Sequence, residues 1–169
     1  MGGPPSESNV GRVIGWYHRL LVWLLAAAVG ILIIPVTLQT FSRYTELIPS
    51  YLWTEEASRF LFVWMIMLGA MVGVREGTHF EVDVWPDLSP RAAALLRIVS
   101  NVFVLAFALV LAWWGVQFVR FGWNQSSEIA ELPMWTIFIA WPLTGVTWVL
   151  FLGETFLRDA RIALGRGAA

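Results

Sequence analysis

Two charged groups bracket one apolar stretch, and these are the residues whose types and spacing could carry chemistry. Trp53, Glu55, Glu56 and Arg59 form W-x-E-E-x-x-R at its start, and Arg75, Glu76, Gly77, His79 and Asp83 close it. On a helix Arg59 shares a face with both Glu55, four residues back, and Glu56, three back, and can pair with either. Ionisable groups near membrane depth mark transport paths by default. A local reading competes with that one. Arg59 lies only about 7 Å along the helix from its Thr54 cap, near enough to snorkel outward or to pair one turn back. Structural pairing is the expectation, ahead of contact with a partner subunit and well ahead of contact with a solute.

His79, with Glu76, Glu81, Asp83 and Asp87 nearby, could be drawn as a metal site. Metal sites need several ligands converging with fixed geometry, and one histidine among scattered carboxylates fits a hydrogen-bonded turn better. Haem ligation fails similarly: the other histidine, His18, precedes the first apolar run, and no run interior contains one. There is no cysteine, which removes disulfides, thiolate metal sites and thiol nucleophiles. All eleven basic residues are arginine, which removes lysine Schiff bases. No cofactor, metal, enzymatic activity or nucleic-acid partner is expected.

The elements that position these residues are membrane spans. Of 169 residues, 58% are hydrophobic and only 14% charged, against about a quarter charged in ordinary soluble domains. Four apolar runs, at about 20–38, 55–74, 90–121 and 134–157, each suit a transmembrane helix of about 20 residues. The chain therefore reads as one all-α membrane domain over 1–169, an up-down bundle of four transmembrane helices. Val10, Val13, Ile14, Tyr17, Leu20 and Leu21 recur at helical spacing, marking an N-terminal amphipathic helix that lies in the interface or leads into the first span. A retained first span is expected, since its run is longer than a signal-peptide core and no A-x-A site follows. Ser89-Pro90 opens the third helix, Pro142 lies inside the fourth, and Pro35 stands near the end of the first. Gly69, Gly73 and Gly77 form a stripe for close helix packing, and Ala108 and Ala112 form a small-residue pair on the third helix. Arg97 is a snorkelling anchor that can touch lipid head groups, and eleven tryptophans suit a protein bounded by membrane lipid.

Arginine counts orient the bundle. Arg12, Arg19, Arg75, Arg91, Arg97, Arg158, Arg161 and Arg166 fall on one side, and Arg43, Arg59 and Arg120 on the other. The positive-inside rule then places both termini in the cytoplasm.

With these residues in view, the chain resembles the small membrane subunit of tripartite ATP-independent periplasmic (TRAP) transporters, the DctQ-like family. The likeness rests on W-x-E-E-x-x-R at Trp53 to Arg59, on Gly69-Ala70, and on R-E-G-x-H-x-x-V-D at Arg75 to Asp83. It extends to L-S-P-R at Leu88 to Arg91, to LPMW at Leu132 to Trp135 and to Pro142. It implies a multi-pass protein of the bacterial cell inner membrane and a role in sodium-driven uptake, often of an organic acid. A periplasmic solute-binding protein would deliver the solute to a large multi-span permease subunit that moves it. The small subunit would widen the fixed scaffold of that partner. The residues agree, because the middle of every span is apolar, aromatic or weakly polar and offers no cradle for a solute. The outer loops, with Glu46, Glu128 and Glu131, are candidate docking points for the binding protein. A self-contained homo-oligomeric exporter or channel would need a carboxylate within a span, and a redox-enzyme anchor would need intramembrane His or Cys.

Overall fold

The computed structural model describes residues 9–45, 52–76 and 90–163. It is helical: α1 (Asn9–Tyr44), α2 (Leu52–Glu76), α3 (Pro90–Gly122), the short α4 (Trp135–Phe138) and α5 (Ala140–Ala163). Among the described residues four helices are long and apolar enough to cross a membrane. In hydrocarbon every backbone N–H and C=O must be satisfied within the segment, which leaves a helix as the form these runs can take. Several of their hydroxyls bond back one turn. Ser58 donates to the Thr54 carbonyl at 2.8 Å, Thr144 to Ala140 at 2.8 Å and Thr155 to Phe151 at 3.2 Å.

Residues 9–20 and the first span are one helix of 36 residues that runs through Pro35. Nothing between Val10 and Leu20 breaks it, and a Cβ added at Gly15 would meet nothing within 4 Å. Helix α3 begins at Pro90, where a fixed φ suits a first turn. The fourth span, in contrast, is divided at Ile139. Pro142 has no N–H to offer the Phe138 carbonyl one turn back, so the helix restarts. The preceding turn tightens, with Thr136 N–H on Pro133 O at 3.1 Å and Ile137 N–H on Met134 O at 3.2 Å.

Helix α5 packs between α2 and α3, and α1 flanks α2. The two interfaces differ in kind. Between α1, α2 and α5 lies a cluster of large side chains, Leu21, Leu68, Met71, Val72 and Phe151, with Tyr17, Leu25 and Trp64 packed around it. Between α3 and α5 the backbones touch. A Cβ on Gly145 would stand 2.5 Å from Ala112 N and 2.6 Å from Ala108 O, and one on Gly115 would stand 2.6 Å from Pro142 Cδ. Ala108 itself is completely buried. Lipid tails are as apolar as leucine, so helix association here rests on close packing and hydrogen bonds. The outward surface is large and apolar: Trp23 is 76% exposed, Phe103 73% and Trp113 69%.

Candidate functional site

The polar side chains gather at the two ends of α2. At its N-terminal end Glu55 and Glu56, adjacent in sequence, point apart because successive residues on a helix are turned by about 100°. Glu55 is exposed and lies 4.0 Å from Arg59, both side chains being 69% exposed. Such a surface pair contributes little. Glu56 is 7% exposed and turns inward, where its Oε2 accepts the backbone N–H of Ala130 at 2.6 Å.

Ala130 belongs to the segment 123–134 between α3 and α4, which folds back on itself. Ser127 N–H donates to Leu132 O at 2.9 Å, Leu132 N–H to Ser127 Oγ at 2.9 Å, and Met134 N–H to Gln125 O at 2.9 Å. Glu131 sits at φ 50°, in the left-handed region that a side chain other than glycine rarely occupies. The cross-loop bonds and the Glu56 anchor hold it there. Two more bonds tie this end together. Trp64 Nε1 donates to Thr136 O at 3.1 Å, and Gln39 Nε2 to Ser58 Oγ at 3.2 Å. Trp53, in the first turn of α2, is half exposed.

At the other end Arg75 gathers three helices. Its Nη1 donates to the Ile14 carbonyl of α1, and its Nη2 lies 3.9 Å from Glu154 Oε2 of α5. Its guanidinium stands 5.3 Å over the Phe151 ring, a cation–π geometry. Glu76 reaches His18 at 3.6 Å, and Tyr17 Oη shares a 2.8 Å hydrogen bond with Thr147 Oγ1. Trp148 Nε1 adds a 3.0 Å bond to the Ala70 carbonyl. The positive Arg75 also suits the C-terminal turn of α2, where the helix dipole is negative.

On the glycine stripe, a Cβ on Gly69 would meet Leu25 Cδ1 at 4.0 Å, an ordinary contact, and Gly73 is buried. Gly77, His79 and Asp83 lie outside the described residues, as does the Arg97 side chain. Sequence reasoning missed the partners rather than the charged residues: Ala130 offers only a backbone amide, and Ile14 only a carbonyl. Glu154 and Tyr17 lie on other helices with no spacing that links them to α2. Among the described residues no group of three or more His, Cys, Asp and Glu could hold a metal ion. Chemically the arrangement is a pair of clasps, in which charged groups are spent on backbone and on each other.

Residues 32–162 match the family described as tripartite ATP-independent periplasmic transporters, DctQ component. That match covers Glu56, Ala130, Arg75 and Glu154, all of α2, α3 and α4 and nearly all of α5, but only the C-terminal part of α1, so Ile14, Tyr17 and His18 lie outside it. The chain belongs to the DctQ family. Among its relatives is the isethionate TRAP transporter permease protein DctMQ of Oleidesulfovibrio alaskensis, 27% identical over 82% of this chain and 23% of that protein. The C4-dicarboxylate TRAP transporter small permease protein DctQ of Rhodobacter capsulatus is 34% identical over 54% of this chain and 41% of that protein. The sialic acid TRAP transporter small permease protein SiaQ of Vibrio cholerae is 26% identical over 86% of this chain and 82% of that protein. This chain thus spans under a quarter of the DctMQ permease and under half of the R. capsulatus small permease. As a DctQ-family chain with four apolar helices, it is an integral membrane protein of the TRAP small-subunit type.

Proposed function

We propose that this chain is the small permease subunit of a TRAP-type secondary transporter in a bacterial inner membrane. It acts as fixed scaffold for a large multi-span permease subunit and neither carries the solute nor catalyses a reaction. The transported solute is a small organic acid or similar molecule, delivered by a periplasmic solute-binding protein and driven by sodium. The relatives above support the division of labour, and the arginine distribution supports termini in the cytoplasm.

The observation that carries the reading is where the charge is used. Among the described residues, Glu56 is committed to a backbone amide of the 123–134 loop, and Arg75 to a carbonyl of α1 and a carboxylate of α5. Both stand at the ends of α2, and they fix helices that a carrier would need to move. A solute path would leave ionisable side chains free to exchange partners near the bilayer midplane. In this reading the Glu56 end is periplasmic and the Arg75 end cytoplasmic. Glu128 and Glu131, together with Glu46 (outside the described residues), then face the binding protein.

Affinity purification of the tagged chain from its native membrane tests the proposal. A larger multi-span permease should co-purify in stable ratio, and recovery of a homo-oligomer alone would overturn the scaffold role. Charge reversal at Glu46, Glu128 and Glu131 should weaken binding-protein docking; unchanged docking and uptake would remove that part of the proposal.

A further inference from the structure

The head of α1 has two faces. One holds Ile14, Tyr17 and Leu21 against the core, and the Ile14 carbonyl is pinned by Arg75. The other carries Arg12, Trp16, Arg19 and Trp23, spaced at i, i+4, i+7 and i+11. At 100° per residue these four side chains leave the helix within an arc of about 60°. All four are exposed, Trp16 by 62% and Trp23 by 76%. The stripe alternates cation and indole over about 16 Å of helix.

Its depth follows from helix length. The 36 residues of α1 extend about 54 Å, well beyond a hydrocarbon core of about 30 Å. With the apolar run from Leu20 in hydrocarbon, Arg19 stands at the boundary and Arg12 about 10 Å further out, at head-group level. Trp16 and Trp23 lie on either side of that boundary, where indole rings favour the interface and can donate their N–H to ester or phosphate oxygens. Charge decides the occupant. From Asn9 to Tyr44 helix α1 carries arginines and no acidic residue, so the net charge of the stripe favours an anionic occupant. Guanidinium binds phosphate in a bidentate, planar fashion.

We propose that the Arg12–Trp16–Arg19–Trp23 stripe is a binding site for an anionic glycerophospholipid, with the arginines on its phosphate and head group and the indoles along its glycerol-ester region. The site goes beyond the scaffold role and requires only that α1 crosses a bilayer.

Native mass spectrometry of the full chain in mild detergent tests this, using phosphatidylglycerol and phosphatidylcholine of matched acyl chains as probes. The wild-type protein should retain phosphatidylglycerol in preference to phosphatidylcholine. R12Q/R19Q should lower its retention about fivefold for each arginine lost, and R12K/R19K, which keeps the charge without the planar fork, should fall between it and the wild type. R43Q/R120Q, which removes two exposed charges elsewhere, should keep the preference and so excludes a net-charge effect. Equal retention of both lipids by the wild type, an unchanged preference in R12Q/R19Q, or an equal loss in R43Q/R120Q would each overturn the proposal. So would release of a co-purified protein by R12Q/R19Q with the lipid preference intact, since the stripe would then be a protein interface.

Discussion

Glu56 Oε2 and the backbone N–H of Ala130 meet at 2.6 Å across 74 residues of chain. The carboxylate sits in the first turns of α2 and is 7% exposed, whereas its neighbour Glu55 is on the surface. One bond therefore fixes where the 123–134 loop lies relative to α2. A charge-assisted bond to a buried carboxylate is roughly twice as strong as a neutral one, and its loss strands a polar group.

Glu56→Ala should therefore lower stability by about 1–3 kcal/mol, and Glu56→Gln, which keeps an acceptor oxygen, by less. Thermal unfolding in detergent gives the size of the effect. Limited proteolysis should show new cleavage between Trp123 and Pro133 in Glu56→Ala. Wild-type stability and cleavage in that variant would remove the anchor.

At the opposite end Arg75→Met should cost about 1.5–3 kcal/mol, because Ile14, Glu154 and Phe151 lose their common partner. Arg75→Lys retains the charge but not the planar fork, and should fall between wild type and Arg75→Met. Glu154→Gln should have the smallest effect of the three, since its carboxylate is 45% exposed and 3.9 Å away. Equal losses in Arg75→Met and Glu154→Gln would contradict this ordering.

Two glycines should respond in opposite ways. Gly145→Ala forces α3 and α5 apart and should destabilise by about 1–3 kcal/mol, because the new methyl would meet backbone on both Ala108 and Ala112. Gly69→Ala adds a methyl at van der Waals distance from Leu25 and should stay within about 0.5 kcal/mol of wild type or stabilise. Parallel thermal unfolding of the two variants checks this. A larger loss at Gly69 would move the tight interface to α2.

Arg59→Gln should leave stability within about 0.5 kcal/mol of wild type, as an exposed pair at 4.0 Å contributes little. A large loss would mean that Arg59 has a partner beyond Glu55.

Much of this fold is legible in the sequence, because a bilayer reduces the choices to helices of known length. Leu52–Glu76 and Pro90–Gly122 lie within three residues of the expected spans, bounded by a charged doorstep and by Ser89-Pro90. The first helix is less so. Its head has the pattern of either an interfacial helix or a lead-in, and only packing of Ile14 and Tyr17 on the core makes it one helix with the span. Pro142 announces itself, although the restart at Ala140 depends on where the freed carbonyl falls. The clasps show the limit more sharply. Glu56 and Arg75 stand out as charges at the ends of an apolar run, yet Ala130 and Ile14 answer them with backbone atoms that every residue possesses. Likewise the repeat at Gly69, Gly73 and Gly77 draws the eye, while backbone meets backbone at single glycines, Gly145 and Gly115, facing Ala108, Ala112 and Pro142. Small residues on two distant helices leave no mutual spacing to read.

The central claim is that these helices support a neighbour's movement and carry nothing themselves. Reconstitution into proteoliposomes under an inward sodium gradient tests it most directly, with the chain alone, with the large permease subunit alone, and with both together plus the loaded binding protein. The account predicts solute accumulation only when both membrane subunits are present. Sodium-dependent accumulation by vesicles that contain this chain alone would contradict it.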